Sequence, residues 1–273
     1  MSKRLNKEID LSRVLKTSIA AAKASGALMR GNLHAVKRAN AVTRHDIKLE
    51  LDVRSQKLIQ RKLKAAFPDI PFLGEEGDSG DVGGDCRWVV DPIDGTVNFA
   101  YGIPHACVSI ALQRRAPRAS AADYEDGYQT LVGVVYDPFC DELWTGVRGE
   151  PARLNGKPIR VSTRSRLRDC IISVGFAKER ESLEKTLPYF NRVIRQVRKI
   201  RMMGAAALGL AYVASGRFDA YIERGLSLWD VAAAGLIVEC AGGEFWHKAV
   251  PGYRKYRMVA SNGRLRKTLN VPD

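Results

Sequence analysis

The sequence predicts a layered protein that mixes helices and sheets, of α/β or α+β class. Three observations carry this. Two helical patterns open the chain, short apolar runs closed by turn residues follow, and helix-like and strand-like stretches then alternate toward the C-terminus.

In chain order, Leu11, Leu15, Ile19, Ala22 and Leu28–Met29 recur at helical spacing, and Asp10 has the chemistry of an N-cap. A basic, turn-rich segment runs from Gly31 to His45. Leu51, Leu58–Ile59, Leu63 and Ala66–Phe67 mark a second amphipathic helix, which Pro68 ends. Phe72–Leu73 leads into Gly74-Glu75-Glu76, and residues 78–85 form a Gly- and Asp-rich loop. Arg87 to Val90 reads as a buried strand that stops at Asp91-Pro92, because proline cannot donate to a central ladder. Val108–Leu112 and Leu131–Tyr136 are further strands, with a polar, exposed excursion from Arg114 to Tyr128 between them. Thr186 to Arg198 and Ala205 to Val213 read as helices, and Phe218–Ile222 as a strand. Val231 to Cys240 is a closely packed small-residue helix ended by Gly242-Gly243, and Met258–Ala260 is a last strand. Turn chemistry between Asn155 and Thr163 places a soft boundary there, giving units 1–160 and 161–273.

A chain of 273 residues buries a core without disulfide or metal staples. Its 45% hydrophobic and 27% charged residues exclude a disordered chain, a collagen, a coiled coil or a membrane bundle. Lys and Arg outnumber Asp and Glu by 44 to 30, a net charge of +14, which favours anionic partners without choosing among them. The five cysteines are odd in number, widely spaced and without a CxxC pair, which predicts a reducing, cytoplasmic setting. Lys16 and Lys23 interrupt the apolar runs after the basic N-terminus, so no signal sequence is expected. No stretch reaches the roughly 20 apolar residues of a membrane span.

Asp91-Pro92-Ile93-Asp94-Gly95-Thr96 is the most informative stretch. Two aspartates three apart leave a hydrophobic strand together, Pro92 stiffens their connection, Gly95 allows close backbone approach to an anion, and Thr96 adds a hydroxyl. Hard oxygen ligands of this kind suit Mg²⁺ rather than zinc. Each acidic group also has a plainer reading: an Asp-rich turn here, a solvated turn at Glu75-Glu76, and helix caps at Asp52 and Asp230. Four independent turns and caps do not explain their joint order and neighbours.

Gly74-Glu75-Glu76, Trp88 to Phe99 and Trp229-Asp230-Val231-Ala232-Ala233-Ala234-Gly235 resemble the inositol monophosphatase family, a branch of the lithium-sensitive, magnesium-dependent sugar phosphatases. The resemblance runs from about Asp46 to near Asn262. It implies an αβαβα sandwich of the inositol monophosphatase and fructose-1,6-bisphosphatase type, often a homodimer. It implies Mg²⁺ held by Glu75, Asp91, Asp94, Asp230 and the Ile93 carbonyl. Gly95 and Thr96 would hold phosphate through backbone N–H groups, Glu75 would orient and activate the attacking water, and Asp52 with Thr96 would polarise that water or its neighbour.

Some positions depart from the pattern. Lys48-Leu49 stands where Val-Thr is common, so the Asp52 register rests on Asp46 and Asp52, six apart. Gln56 replaces a frequent Glu, and Val97 a usual Thr. Gly204-Ala205-Ala206 replaces Gly-Ser/Thr-Ala, taking one hydroxyl from the substrate wall to which Ala206 belongs. Glu223, seven before Asp230, matches a carboxylate that contacts inositol hydroxyls, against a plain reading as a surface ion pair with Arg224. Arg201 matches a pocket arginine, or belongs to a basic helical face with Arg192, Arg195, Arg198 and Lys199. His105 fits a packed histidine better than a site residue.

The expected activity is Mg²⁺-dependent hydrolysis of a small phosphorylated polyol or sugar, with inositol monophosphate leading. Fructose bisphosphate, histidinol phosphate, a dinucleotide phosphate and 3′-phosphoadenosine phosphate are the same-fold rivals. Basic clusters such as Arg254-Lys255-Arg257 motivate a nucleic-acid reading. No RRM, KH, zinc-finger or helix-turn-helix signature supports it as the primary role.

Overall fold

The computed structural model describes residues 9–35, 39–42, 47–116, 123–176 and 180–271. Asp46, which sets the Asp52 register, lies outside these residues, as do most of the N-terminal basic residues and residues 117–122 of the polar excursion.

Helix α1 (Leu11–Asn32) begins where Asp10 accepts the N–H groups of Ser12 and Arg13 at 3.0 and 3.1 Å. Strands β1 (Ala39–Val42) and β2 (Ile47–Leu49) form a small antiparallel ribbon before α2 (Glu50–Ala66). A seven-stranded sheet follows in the order β3-β4-β5-β6-β7-β8-β9. Its strands are β3 (Phe72–Gly74), β4 (Cys86–Asp94), β5 (Cys107–Arg115), β6 (Tyr128–Asp137), β7 (Glu142–Val147), β8 (Arg153–Leu154) and β9 (Lys157–Pro158). The short helix α3 (Thr96–Ala100) leaves the end of β4.

The second sheet has the order β11-β10-β12-β14-β13. It comprises β10 (Ile171–Val174), β11 (Lys199–Arg201), β12 (Ala220–Ser227), β13 (Glu244–Val250) and β14 (Lys255–Ser261). Helices α4 (Arg180–Val193), α5 (Ala206–Ala214), α6 (Leu228–Cys240) and α7 (Arg266–Leu269) complete the chain.

Three apolar cores stack these elements into five layers. Val14, Ala22 and Met29 of α1 and Ile59 and Leu63 of α2 pack on Trp88, Val90, Ile110 and Val134. The opposite face of the sheet, with Val89, Ala111 and Val135, meets α5 and α6, which also touch the second sheet through Tyr221, Met258 and Ala260. Tyr189 and Val193 of α4 and Leu269 of α7 cover that sheet's far side against Ile172, Val174 and Ile222. The order is helix, sheet, helix, sheet, helix, an αβαβα sandwich. Helix α6 lies close between the sheets because its facing residues are small: a β-carbon at Gly133 of β6 would sit 3.1 Å from Ala233 Cα.

Several element boundaries differ from the sequence expectation. β4 runs through Pro92 to Asp94, because β3 pairs it only as far as Val90 and the missing proline N–H costs no ladder bond on that side. Helix α4 starts at Arg180 and ends at Val193, where Arg198 N–H is captured by the Cys170 carbonyl at 2.9 Å and the chain joins β11. Arg201 therefore lies on a strand and not on a basic helical face. Helix α6 begins at Leu228, so Asp230 is in its first turn and not its N-cap.

Candidate active site

In a regular strand, residues three apart point to opposite faces. On β4, Trp88 and Val90 face the α1/α2 core while Val89 faces α5 and α6. The pairing with β5 then shifts: Asp91 stands opposite Ser109 and Asp94 opposite Cys107, three residues against two. This bulge reverses the alternation, so Ile93 joins the α1/α2 core. Asp91 and Asp94 thereby both emerge toward the helices of the middle layer.

Each acid is held by a different device. Asp91 accepts Ile93 N–H at 2.9 Å and is 2% exposed. Asp94 accepts Ala206 N–H at 3.0 Å and Ala207 N–H at 2.8 Å, at the start of α5, and Cys107 Sγ lies 3.5 Å away. Asp230 accepts Ser227 N–H at 2.7 Å, and Asp52 accepts Leu49 N–H at 2.7 Å, both from the third position of a helix. Helix-capping chemistry is thus real at both residues, and it also fixes where their carboxylates sit. Glu75 follows β3, and its N–H donates to the Val90 carbonyl at 3.2 Å. Gln56 clamps this turn: it accepts Glu76 N–H at 2.9 Å and donates to the Gly77 carbonyl at 2.9 Å.

The carboxyls share one electrostatic neighbourhood. Burial, then the charges of Asp230, Asp52 and Glu76, push Glu75 up to about 8. Burial, then Glu75, Asp94 and Asp230, hold Asp91 well above the usual range, and the Glu75 and Asp91 carboxyls hydrogen bond to each other. Burial and Asp230 push Asp94 up to about 7 against the two α5 N–H groups. A cation placed among these carboxyls would neutralise their crowded negative charge. The donor set is all hard oxygen, which fits Mg²⁺ in chemistry. The acids are neighbours and not a finished cage: among the described residues, no three acidic, histidine or cysteine side chains are gathered closely enough to hold an ion as they stand.

Gly95 begins α3 at φ +89°, and a β-carbon there would meet the His105 carbonyl at 2.9 Å, so backbone and space both call for glycine. Thr96 Oγ1 donates to the Ile93 carbonyl at 2.8 Å. His105 packs edge-on against Tyr212 with ring centroids 6.1 Å apart, as a packed histidine would. Glu223 on β12 accepts the Tyr221 hydroxyl, and burial pushes it up to about 7. It lines a cavity of about 570 Å³ with Gly204 and Ala205, the turn before α5. Arg201 is exposed and its guanidinium donates to the Ile200 carbonyl at 3.0 Å. Sequence reasoning did not single out Gln56 as the clamp of the Glu75 turn, nor Cys107, Ala207, Tyr221 or Gly175. Their roles arise from contacts across the fold.

An αβαβα sandwich with this acid cluster defines a class of phosphoric monoester hydrolases. A model of the inositol monophosphatase family matches residues 10–270. The chain is 36% identical over 266 residues to inositol monophosphatase 1 of Solanum lycopersicum, covering 94% of this chain and 93% of that one. It is 39% identical over 230 residues to Nus factor SuhB of Xylella fastidiosa, covering 82% and 78%. The crystal structure of extragenic suppressor protein suhB from Bartonella henselae superposes with a TM-score of 0.83 at 35% identity, covering 94% and 96%. The chain belongs to the inositol monophosphatase family, and it is a phosphatase.

Proposed function

We propose that this phosphatase hydrolyses a small phosphorylated polyol, with inositol monophosphate the leading substrate, and that it needs Mg²⁺ to do so. The observation that carries this reading is the convergence of Glu75, Asp91, Asp94 and Asp230 beside the start of α5. These four carboxylates and the Ile93 carbonyl would hold the metal. When bound, Mg²⁺ would supply positive charge to a nucleophilic water and to the leaving ester oxygen.

The residues then divide the work. Gly95 and Thr96 hold the phosphate through their backbone N–H groups, where the charge of the transition state spreads over phosphoryl oxygens. The Glu75 carboxylate orients the attacking water and helps to activate it. Asp52 and Thr96 polarise water on the same side. Glu223 accepts hydrogen bonds from substrate hydroxyls, with Ala206 in the adjoining wall. Arg201, next to Met202 of the cavity lining, is the candidate for an outer contact to substrate charge.

Phosphate release from inositol 1-phosphate, with Mg²⁺ and with EDTA, tests the reading. Release only with Mg²⁺ supports it; full activity in metal-free buffer overturns the metal assignment. The same assay with fructose bisphosphate, histidinol phosphate and 3′-phosphoadenosine phosphate separates the rivals.

No helix among the described residues is long and apolar enough to cross a membrane. We propose a cytoplasmic homodimer; the five cysteines, all free thiols, agree with a reducing compartment. We also retain units 1–160 and 161–273: the seven-stranded sheet ends at Pro158 and the second sheet begins at Ile171. The name of the Nus factor relative and the net charge of +14 favour a second role in association with transcription. Salt-resistant, sequence-dependent RNA binding would establish it.

A further inference from the structure

We propose that Gly175 and Tyr221 are positioning residues for Glu223: together they hold its carboxylate in one orientation toward the cavity, and so set the preference of the site for ring polyol esters. The inference rests on the phosphatase reading above and names what makes that site selective.

Strands β10 and β12 run parallel, with Ser173 opposite Tyr221 and Val174 opposite Ile222. Just beyond, Gly175 N–H donates to the Ile222 carbonyl at 2.9 Å, which locks the two backbones together as they pass Glu223. A β-carbon at Gly175 would overlap the Glu223 carboxylate. The Gly175 backbone is outside the left-handed region, so conformation does not call for glycine; space for the carboxylate does.

Tyr221 supplies the other half of the seat. Its hydroxyl donates to Glu223 Oε2. Its ring is 4% exposed and lies against Gly209 of α5, where a β-carbon would fall 2.8 Å from Cε1. Helix α5 is the same element whose first N–H groups hold Asp94. Glu223 is thus referenced to Asp94 through Tyr221 and one helix. With Oε2 engaged by Tyr221, Oε1 is the oxygen left to accept a substrate hydroxyl. Gly175, Tyr221, Glu223, Gly204 and Ala205 all line the same cavity.

The test uses the whole chain with Mg²⁺ and compares kcat and KM for inositol 1-phosphate with those for p-nitrophenyl phosphate, which lacks polyol hydroxyls. Y221F and G175A should each raise KM for the inositol ester about 10-fold, the scale of one hydrogen bond to a charged group. kcat, and both constants for p-nitrophenyl phosphate, should stay within about twofold. Adding Y221F to E223Q should raise KM no further, because Tyr221 acts through Glu223. Equal losses on both esters, no loss on either, or a full extra effect of Y221F in the E223Q background would overturn the inference. Wild-type protein that hydrolyses p-nitrophenyl phosphate but gains nothing from ring hydroxyls would overturn it and leave the phosphatase reading standing. Wild-type protein that hydrolyses neither would overturn both. Y221F leaves the ring in place against Gly209, so it keeps the test decisive should G175A fail to fold.

Discussion

The carboxylate of Asp94 accepts the backbone N–H of Ala207 at 2.8 Å, joining residues 113 positions apart in the chain. One end of that contact is the last residue of β4, the other is the first turn of α5. The strand that carries two acids is thereby tied to the helical layer that carries Asp230 and braces Tyr221.

Asp94→Asn tests this tie together with the proposed metal role. An amide can accept only through its oxygen, so one of the two α5 bonds is lost, at a cost of about 1 kcal/mol. The metal loses a charged ligand. Turnover should fall at least about 100-fold, the scale of a lost electrostatic contact at a reacting centre, while circular dichroism shows a folded protein. Near-normal kinetics would remove Asp94 from the site.

The acid cluster predicts a pH dependence of the metal-free protein. Glu75 rises from 4.5 to about 8 and Asp94 from 3.8 to about 7 on folding. Carboxyls raised in this way favour the folded state when protonated. Their contribution is complete below their unfolded values and is lost as pH rises through about 7 and 8. In EDTA the melting temperature should therefore fall between pH 5 and pH 8, by ~10 °C or less in total. Mg²⁺ should restore it at pH 8, since an ion that binds only the folded state stabilises it. Melting curves that are flat in EDTA across this range would contradict the crowding of unneutralised carboxyls.

Gln56 holds the Glu75–Glu76 turn from α2 through two hydrogen bonds. Gln56→Ala should leave the core intact and raise the Mg²⁺ concentration for half-maximal activity about 10-fold or more, as loss of a group behind a metal ligand does. A Mg²⁺ titration of phosphate release measures it. An unchanged half-point would show that the turn keeps its shape unaided.

Gly133 of β6 allows α6 to approach the sheet. Gly133→Ala should push the helix away and lower stability by about 1–3 kcal/mol in denaturant titration. The displacement also moves Asp230, so activity should fall in parallel. Full activity with full stability would show that the middle layer has slack.

The layered architecture and the first helix with its Asp10 cap were legible because amphipathic spacing and capping are local. The extension of β4 through Pro92 was not, since it depends on β3 ending at Gly74, opposite Val90. β11, three residues with two basic side chains at a sheet edge, has no apolar pattern to find. Glu75, Asp91, Asp94 and Asp230 stood out by motif; the structure sets them in one electrostatic neighbourhood without gathering them, among the described residues, into a cage that could hold an ion as it stands. Gln56 stood out only as a replacement for a frequent Glu, and Ala207 and Tyr221 not at all, because contacts to a backbone N–H 20 to more than 100 residues away, or from a buried hydroxyl to a glutamate on the same strand, leave no local pattern. The caps at Asp52 and Asp230 show that a plain local role and a place in the cluster coexist in one side chain.

Glu75, Asp91, Asp94 and Asp230 are proposed to close around a divalent cation. Anomalous diffraction from crystals grown with Mn²⁺ in place of Mg²⁺ measures this directly. The expected result is a peak coordinated by these carboxylates and the Ile93 carbonyl. An active enzyme whose only anomalous peaks lie away from these residues would contradict it.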